Sequence, residues 1–538
     1  MDPSVVDRRQ VDRSASSPPP WLVMAIACLG QFLVVLDVSV VNVALPAMRS
    51  GLGLSQAGMQ WVVNAYVIAF AGFMLLGGRA ADVFGRKRTF VAGIGVFTVA
   101  SLAGGVAMAP WQLITARAIQ GVGAAVLAPA TLTLITGSFA DESTRTRAIA
   151  VWTAVGAGGG AAGSLVGGVL TEFLSWRWVL LINVPVGALT MAGAVLWLAE
   201  RRDQVRKRLD LPGAMLVSAG LALLAYGIVQ TESAGWTAFG ALFPLGVGLV
   251  VLAVFVVVEA RLREPLMPLH VFRLRSVAAA NAAMLASGGV MFCMWFFLTL
   301  YMQHVLGYTP LRTGLSFLPH SMGIILGAQV APRLMRLLGA KTLAITGALI
   351  GAVGMVWQST MTADGTYLGT ILGPGILMAL GAGLTATPVA TVATSGAAPG
   401  ETGLVSGLVN TSRQIGGALS LSVLSAVAAA HIHGSTHPDV LTAGYAAAFA
   451  TGAAILVGAA VLMLVIFPGA RAHQPSAAST ATRRDRSGSA EHTDSGSAPL
   501  SGLHRDTRKS DRHGSRTGDH RGDSSHFGST ARSLPPGR

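Results

Sequence analysis

The sequence predicts an all-α membrane protein with fourteen transmembrane helices and a disordered C-terminal tail. Three observations carry that prediction. Of 538 residues, 52% are hydrophobic and 12% charged, against about 25% charged in an average protein, and the mean hydropathy is +0.59. Apolar windows long enough to cross a bilayer recur fourteen times. Basic residues gather in alternate loops, as residues that set membrane orientation do.

Taken in order, the apolar windows lie near 21–46, 58–77, 89–109, 111–137, 148–170, 177–198, 211–230, 239–259, 276–303, 310–332, 342–360, 367–392, 403–430 and 441–467. Residues 1–20 are polar and end in three prolines, so the first apolar run is expected to remain as a span and not to be removed as a signal peptide. With the amino terminus in the cytoplasm, 21 Lys and Arg of the N-terminal tail and the loops between spans fall on the cytoplasmic side and only Arg49, Arg177 and Arg312 outside. That asymmetry predicts a multi-pass protein of the plasma (bacterial inner) membrane, both termini cytoplasmic. It also places most basic residues of the body of the protein in loops beside lipid headgroups, so no nucleic-acid partner is expected. Cys28 and Cys293 both lie in apolar runs, too few and too buried for a disulfide framework or a metal site.

Composition changes after Pro468. Residues 468–538 are rich in Ser, Arg, His, Gly and Asp and cannot bury a core, so a disordered cytoplasmic tail is expected. Before it, the chain divides into a cytoplasmic N-terminal tail (1–20), a six-helix bundle (21–200), a linker with two extra transmembrane helices (201–275) and a second six-helix bundle (276–467). A weak repeat supports the two bundles. GRAADVFGRKR (78–88) aligns with PRLMRLLGAKT (332–342), placing Gly85 on Gly339 and Lys87 on Lys341. Two similar halves about a central site are a transporter architecture.

GRAADVFGRKR matches G-x-x-x-D-x-x-G-R-K/R through Gly78, Asp82, Gly85, Arg86 and Lys87, and so resembles the loop between spans 2 and 3 of the major facilitator superfamily. LDVSVVNVALP (36–46), RAIQGVGAA (117–125) and SWRWVLLINVPVG (175–187) resemble its fourteen-span drug:proton antiporter branch, the EmrB/QacA type of multidrug efflux transporter. GAGGGAAGSLVGG (156–168) is similar to the fifth-span antiporter motif G-P-x-x-G-G, with Ser164 in place of the proline. Gly163, Gly167 and Gly168 keep its glycine face for close helix packing. The resemblance covers residues 21 to about 467 and implies a major facilitator fold, with the two extra helices between its six-helix halves.

Asp37 is a carboxylate inside an apolar run, where a charge costs roughly 3 kcal/mol on insertion scales. Arg117 and Arg413 are the other charges well inside spans. The resemblance implies that Asp37 and Arg117 face a central cavity on spans 1 and 4. There Asp37 is expected to bind the proton, Arg117 to tune it, and a cationic drug to compete for the same negative site. The other reading is a permanent ion pair locking the two spans. In the loop motif, glycines permit a tight turn. Asp82 can meet Arg86 or a helix end of the other half, forming a latch that holds one side shut. The alternative is that Arg86, Lys87 and Arg88 merely anchor the loop on the cytoplasmic side.

Asn42, Tyr66, Gln120, Trp295, Gln303, Asn410 and Arg413 are polar or aromatic residues in spans and are candidates to line a substrate cavity. Ordinary interhelical packing is the alternative for each, and Arg413 can also reach headgroups. His320 is a hydrogen-bonded spacer or a proton relay. Gly158, Gly160 and Gly163 match G-x-G-x-x-G, but inside an apolar span this reads as helix packing, not a dinucleotide site. No G-x-x-x-x-G-K-[ST] loop occurs, so ATP drive is not expected. The expected protein is not an enzyme, uses no cofactor or metal, and is driven by the proton gradient. Its partners are a small-molecule substrate, protons and membrane lipid. Export of small hydrophobic or cationic compounds is the leading reading; uptake of a specific metabolite, or a membrane receptor or scaffold, are the alternatives.

Overall fold

The computed structural model describes residues 19–467, except 140, 201–208, 236, 263–264, 396 and 398–400. The expected tail 468–538 and all but the last two residues of the expected tail 1–20 lie outside the described residues. Among those described there is helix and no strand. Lipid offers no partner for backbone N–H and C=O groups, so each crossing must satisfy its own. Fourteen helices do this: Pro20–Leu52, Gln56–Ala81, Arg86–Gly105, Pro110–Ser138, Ser143–Phe173, Trp178–Trp197, Leu211–Thr231, Phe239–Arg261, Arg275–Val305, Pro310–Leu338, Ala340–Gln358, Tyr367–Ser395, Gly403–Ile432 and Pro438–Ile466. They are spans 1 to 14 below.

Local chemistry sets the ends and the breaks. Ser55 caps span 2 by accepting from Gly58 N at 3.0 Å, and Asp141 caps the helix of span 5 by accepting from Thr144 N at 2.8 Å. Four hydrogen bonds from Ser143 and Thr144 hold the Asp141 carboxyl at about 2, below the usual carboxylate range. Span 6 breaks at Ile182, four residues after Trp178. Pro185 is the cause, because its ring displaces the Leu181 carbonyl. Pro319 breaks span 10 at Phe317 in the same way.

The two halves repeat their packing. In the first, span 1 packs on span 5, and span 4 packs on spans 2 and 3; in the second, span 9 packs on span 13, and span 12 on spans 10 and 11. Glycines bring these helices close. A methyl group at Gly123 would stand 2.6 Å from Phe97 N, and one at Gly381 2.5 Å from Gly351 N. The repeat reaches the backbone at Gly85 (φ 95°) and Gly339 (φ 80°), values an L-residue rarely adopts. Lys87 then donates to the Val195 carbonyl of span 6 at 2.7 Å, and Lys341 to the Leu464 carbonyl of span 14 at 2.6 Å. One departure from the expected boundaries matters. The helix carrying span 2 runs on to Phe84, so the supposed loop 78–88 is helical except at Gly85.

Spans 2 and 13, and spans 5 and 10, join the halves. Asn64 Nδ2 donates to Ser422 Oγ at 3.0 Å across the first seam. Span 7 lies against that seam, touching both span 2 and span 13, and span 8 packs on span 7. At Gly72 a methyl would collide with Ser218 of span 7.

Candidate functional site: a buried ion pair behind an apolar cavity

Asp37 lies near the middle of the 33-residue helix of span 1 and is wholly buried. Arg117 Nη1 donates to its Oδ2 at 2.6 Å, while Gln120 Nε2 and Asn183 Nδ2 donate to Oδ1 at 2.8 and 2.9 Å. The same two amides reach Ser101 Oγ at 2.9 and 3.0 Å. Arg117 also donates to the Val62 carbonyl at 3.2 Å and to Gln120 Oε1 at 2.7 Å, and stacks over the Tyr66 ring at 4.3 Å. Spans 1, 2, 3, 4 and 6 therefore meet in one polar knot inside an apolar bundle. A buried pair is tolerated only when its remaining lone pairs and protons are also met, and here neighbouring amides and a carbonyl do that.

The expectation that Asp37 and Arg117 face the cavity is corrected. A cavity of about 350 Å³ is lined on span 1 by Val35, Val38, Ser39 and Asn42. Asp37 projects from the opposite side of that helix, into the first half. Neutralised by Arg117 and sealed from solvent, it is not placed to attract a cationic drug directly.

The remaining wall comes mostly from the second half: Met291, Phe292 and Trp295 of span 9, Met355 of span 11, Met378 and Thr385 of span 12, and Arg413 of span 13. Of the seven expected lining residues, Asn42, Trp295 and Arg413 do line it. Tyr66 and Gln120 do not, because the ion pair claims them. Gln303 does not, because its Nε2 crosses between halves to the Val43 carbonyl at 2.8 Å. Pro46 lies three residues beyond Val43 and removes a neighbouring N–H donor from the span 1 ladder. Asn410 is one turn below Arg413 and accepts from its Nε and Nη2 at 3.1 and 2.7 Å. His320 is buried, with Nδ1 3.1 Å from the Ser316 carbonyl, outside the cavity wall.

One end of the inter-half contact is tightly shut. Besides the Gln303 bond, Glu172 of span 5 accepts from Leu311 N at 2.9 Å, capping the start of span 10. A methyl at Gly168 would stand 2.7 Å from the Pro310 carbonyl oxygen, and one at Gly314 2.2 Å from that of Ser164. Thus Gly168 serves the junction between halves, whereas Gly163 and Gly167 pack span 5 on span 1, with methyl positions 2.6 Å from Ser39 Cβ and 2.8 Å from Val40 Cα. At the other end, Arg86 Nη1 donates to the Thr133 carbonyl of span 4 at 3.4 Å, within its own half. Gly78 has room for a methyl. The Asp82 side chain lies outside the described residues. Arg79, in the same motif, bonds to the Pro265 carbonyl in the segment before span 9.

Ser101 and Asn183 complete the knot without having been expected there. Asn183 belongs to the quoted SWRWVLLINVPVG stretch, and a polar side chain inside an apolar run was the available signal. Gly288, which packs against the Arg413 stem, was also missed.

Two pseudo-equivalent six-helix halves around a central cavity define a membrane transporter. A family model described as the Major Facilitator Superfamily matches residues 27–421, and the chain belongs to that family, as a multi-pass, fourteen-span member. It is 48% identical over 476 residues to the cephamycin export protein of Amycolatopsis lactamdurans, covering 88% of this chain and 98% of that one. It is 40% identical over 463 residues to the puromycin resistance protein of Streptomyces alboniger, covering 84% and 92%. Among solved structures, the POT family transporter PepTSo aligns with a TM-score of 0.62 at 16% identity, covering 83% of this chain and 98% of that one. That likeness concerns the fold alone.

Proposed function

We propose that the protein exports small, largely apolar compounds, antibiotics among them, from the cell in exchange for protons. The observation that carries this is the Asp37–Arg117 pair standing directly behind the span 1 wall of an apolar cavity. Protonating Asp37 cancels its hold on Arg117, Gln120 and Asn183. Because these come from spans 4 and 6, the change loosens span 1 against the rest of its half and shifts Val38, Ser39 and Asn42 in the cavity wall. A proton is thereby coupled to cargo without sharing its site. Charge asymmetry of the loops puts the shut end outside. Breaking the Gln303, Glu172 and Gly168 contacts and closing the opposite end, where Gly78, Asp82, Gly85, Arg86 and Lys87 form the latch, completes alternating access. The relatives' names, cephamycin export and puromycin resistance, support antibiotic cargo.

The test is a drug susceptibility panel in a host lacking its own pumps, with accumulation followed after an uncoupler. Expression is expected to lower accumulation, and the uncoupler to restore it. Accumulation that falls when the uncoupler is added identifies an importer and refutes the reading.

A further inference from the structure

We infer that the cavity holds its cargo by an anionic group, a carboxylate or its equivalent, docked on the Arg413 guanidinium; this rests on the cavity being the transport site. Among the described residues Arg413 is the sole ionisable one in the wall, where every other is apolar, glycine or a neutral Ser, Thr or Asn. It lies roughly 16 Å along the 31-residue helix from Thr402. Among the described residues no carboxylate pairs with it. Arg117, the other arginine well inside a span, is neutralised by Asp37 at 2.6 Å.

The side chain is built into place. Its stem crosses span 9 at Gly288, where a methyl would stand 2.6 Å from Arg413 Cγ. Its head is held by Asn410, whose single Oδ1 accepts from both Nε and Nη2. That contact orients the guanidinium but brings no opposite charge. The Nη1 edge has no protein acceptor among the described residues and remains for a ligand. The side chain is exposed to the cavity, where water meets its charge until an anion displaces it, and a guanidinium fork matches a carboxylate in two parallel bonds. Met291, Phe292, Trp295 and Met355 then receive an apolar body, and Ser39 and Asn42 offer hydrogen bonds from the facing wall. A cationic cargo would meet a like charge with no acid in the wall to offset it.

The full-length protein in detergent is titrated with N-dansyl-phenylalanine and with its methyl ester, each corrected for empty micelles, and then with ethidium. The acid is expected to bind at least tenfold more tightly than the ester, about 1.4 kcal/mol. Arg413→Gln is expected to erase that difference by weakening the acid alone, and Arg413→Lys to keep part of it. Equal binding of acid and ester to the unaltered protein overturns the inference. So does a preference for ethidium, or an unchanged ratio in Arg413→Gln. Should Arg413→Gln not fold, the ratio in the unaltered protein and its reduction in Arg413→Lys decide. Micelles carry no proton gradient, so failure of proton exchange in vesicles would leave this ratio standing, and loss of the ratio would leave proton exchange standing.

Discussion

Neutralising Asp37 separates the cost of a broken ion pair from the loss of a proton site. Asp37→Asn keeps the shape and one acceptor oxygen but leaves Arg117, 2% exposed, charged and without its carboxylate. Breaking a buried pair from one side costs about 3–5 kcal/mol. The retained oxygen and the Val62 and Gln120 contacts put the expected loss at the lower end, about 3 kcal/mol. Adding Arg117→Gln removes the stranded cation, so the double variant is expected to recover about 2 kcal/mol of that loss. Unfolding in SDS of the unaltered protein, both single variants and the double variant measures this coupling. The same four proteins, placed in vesicles with an imposed pH gradient, measure coupling to protons; every variant lacking Asp37 is expected to lose it. Additive costs in the cycle would show that the two side chains do not act as a pair. Undiminished pH-driven export by Asp37→Asn would refute its role as the proton site, whatever the stability data say.

Three further outcomes follow from packing. Gly167→Val, whose added carbon would stand 2.8 Å from Val40 Cα, is expected to cost about 1–3 kcal/mol. Gly158→Ala, which points into open space, should leave stability unchanged or raise it by up to about 1 kcal/mol; SDS unfolding compares the two. Alanine at Gly85 or Gly339 is expected to cost about 1–3 kcal/mol each through the positive φ with ψ near 150°, read as a lowered thermal midpoint, with similar losses at the two positions. Gln303→Ala combined with Glu172→Ala removes two bonds that hold the shut end. In cells carrying Asn42→Cys, this pair of changes should speed labelling by a membrane-impermeant thiol reagent added outside.

The number of crossings, their order and the two-half organisation were legible because apolar windows and loop charge report directly on the bilayer. Pairing of Asp37 with Arg117 was legible for a related reason: a charge in an apolar run needs an opposite one. Which side of span 1 carries the pair was not. Asp37 and Val38 differ by one residue and about 100° of helix rotation, and only packing with spans 3, 4 and 6 decides which of them meets the cavity. Ser101 and Asn183 are single polar residues in apolar stretches, indistinguishable there from ordinary interhelical bonds. Arg413 could be read as a headgroup anchor or a cavity residue. Gly288, 125 positions earlier, lets its stem cross toward the cavity, and no local pattern links the two.

The unmatched guanidinium at Arg413 also has an electrical consequence. Swapping one outgoing monoanion for one incoming proton carries two positive charges inward, a gain of about 4.6 kcal/mol per 100 mV of interior-negative potential. The same swap with a neutral molecule gains about half as much, and with a monocation nothing from voltage. An anionic cargo docked on Arg413 and exchanged for a proton, as proposed above, would be the one whose expulsion the cell's own battery drives hardest.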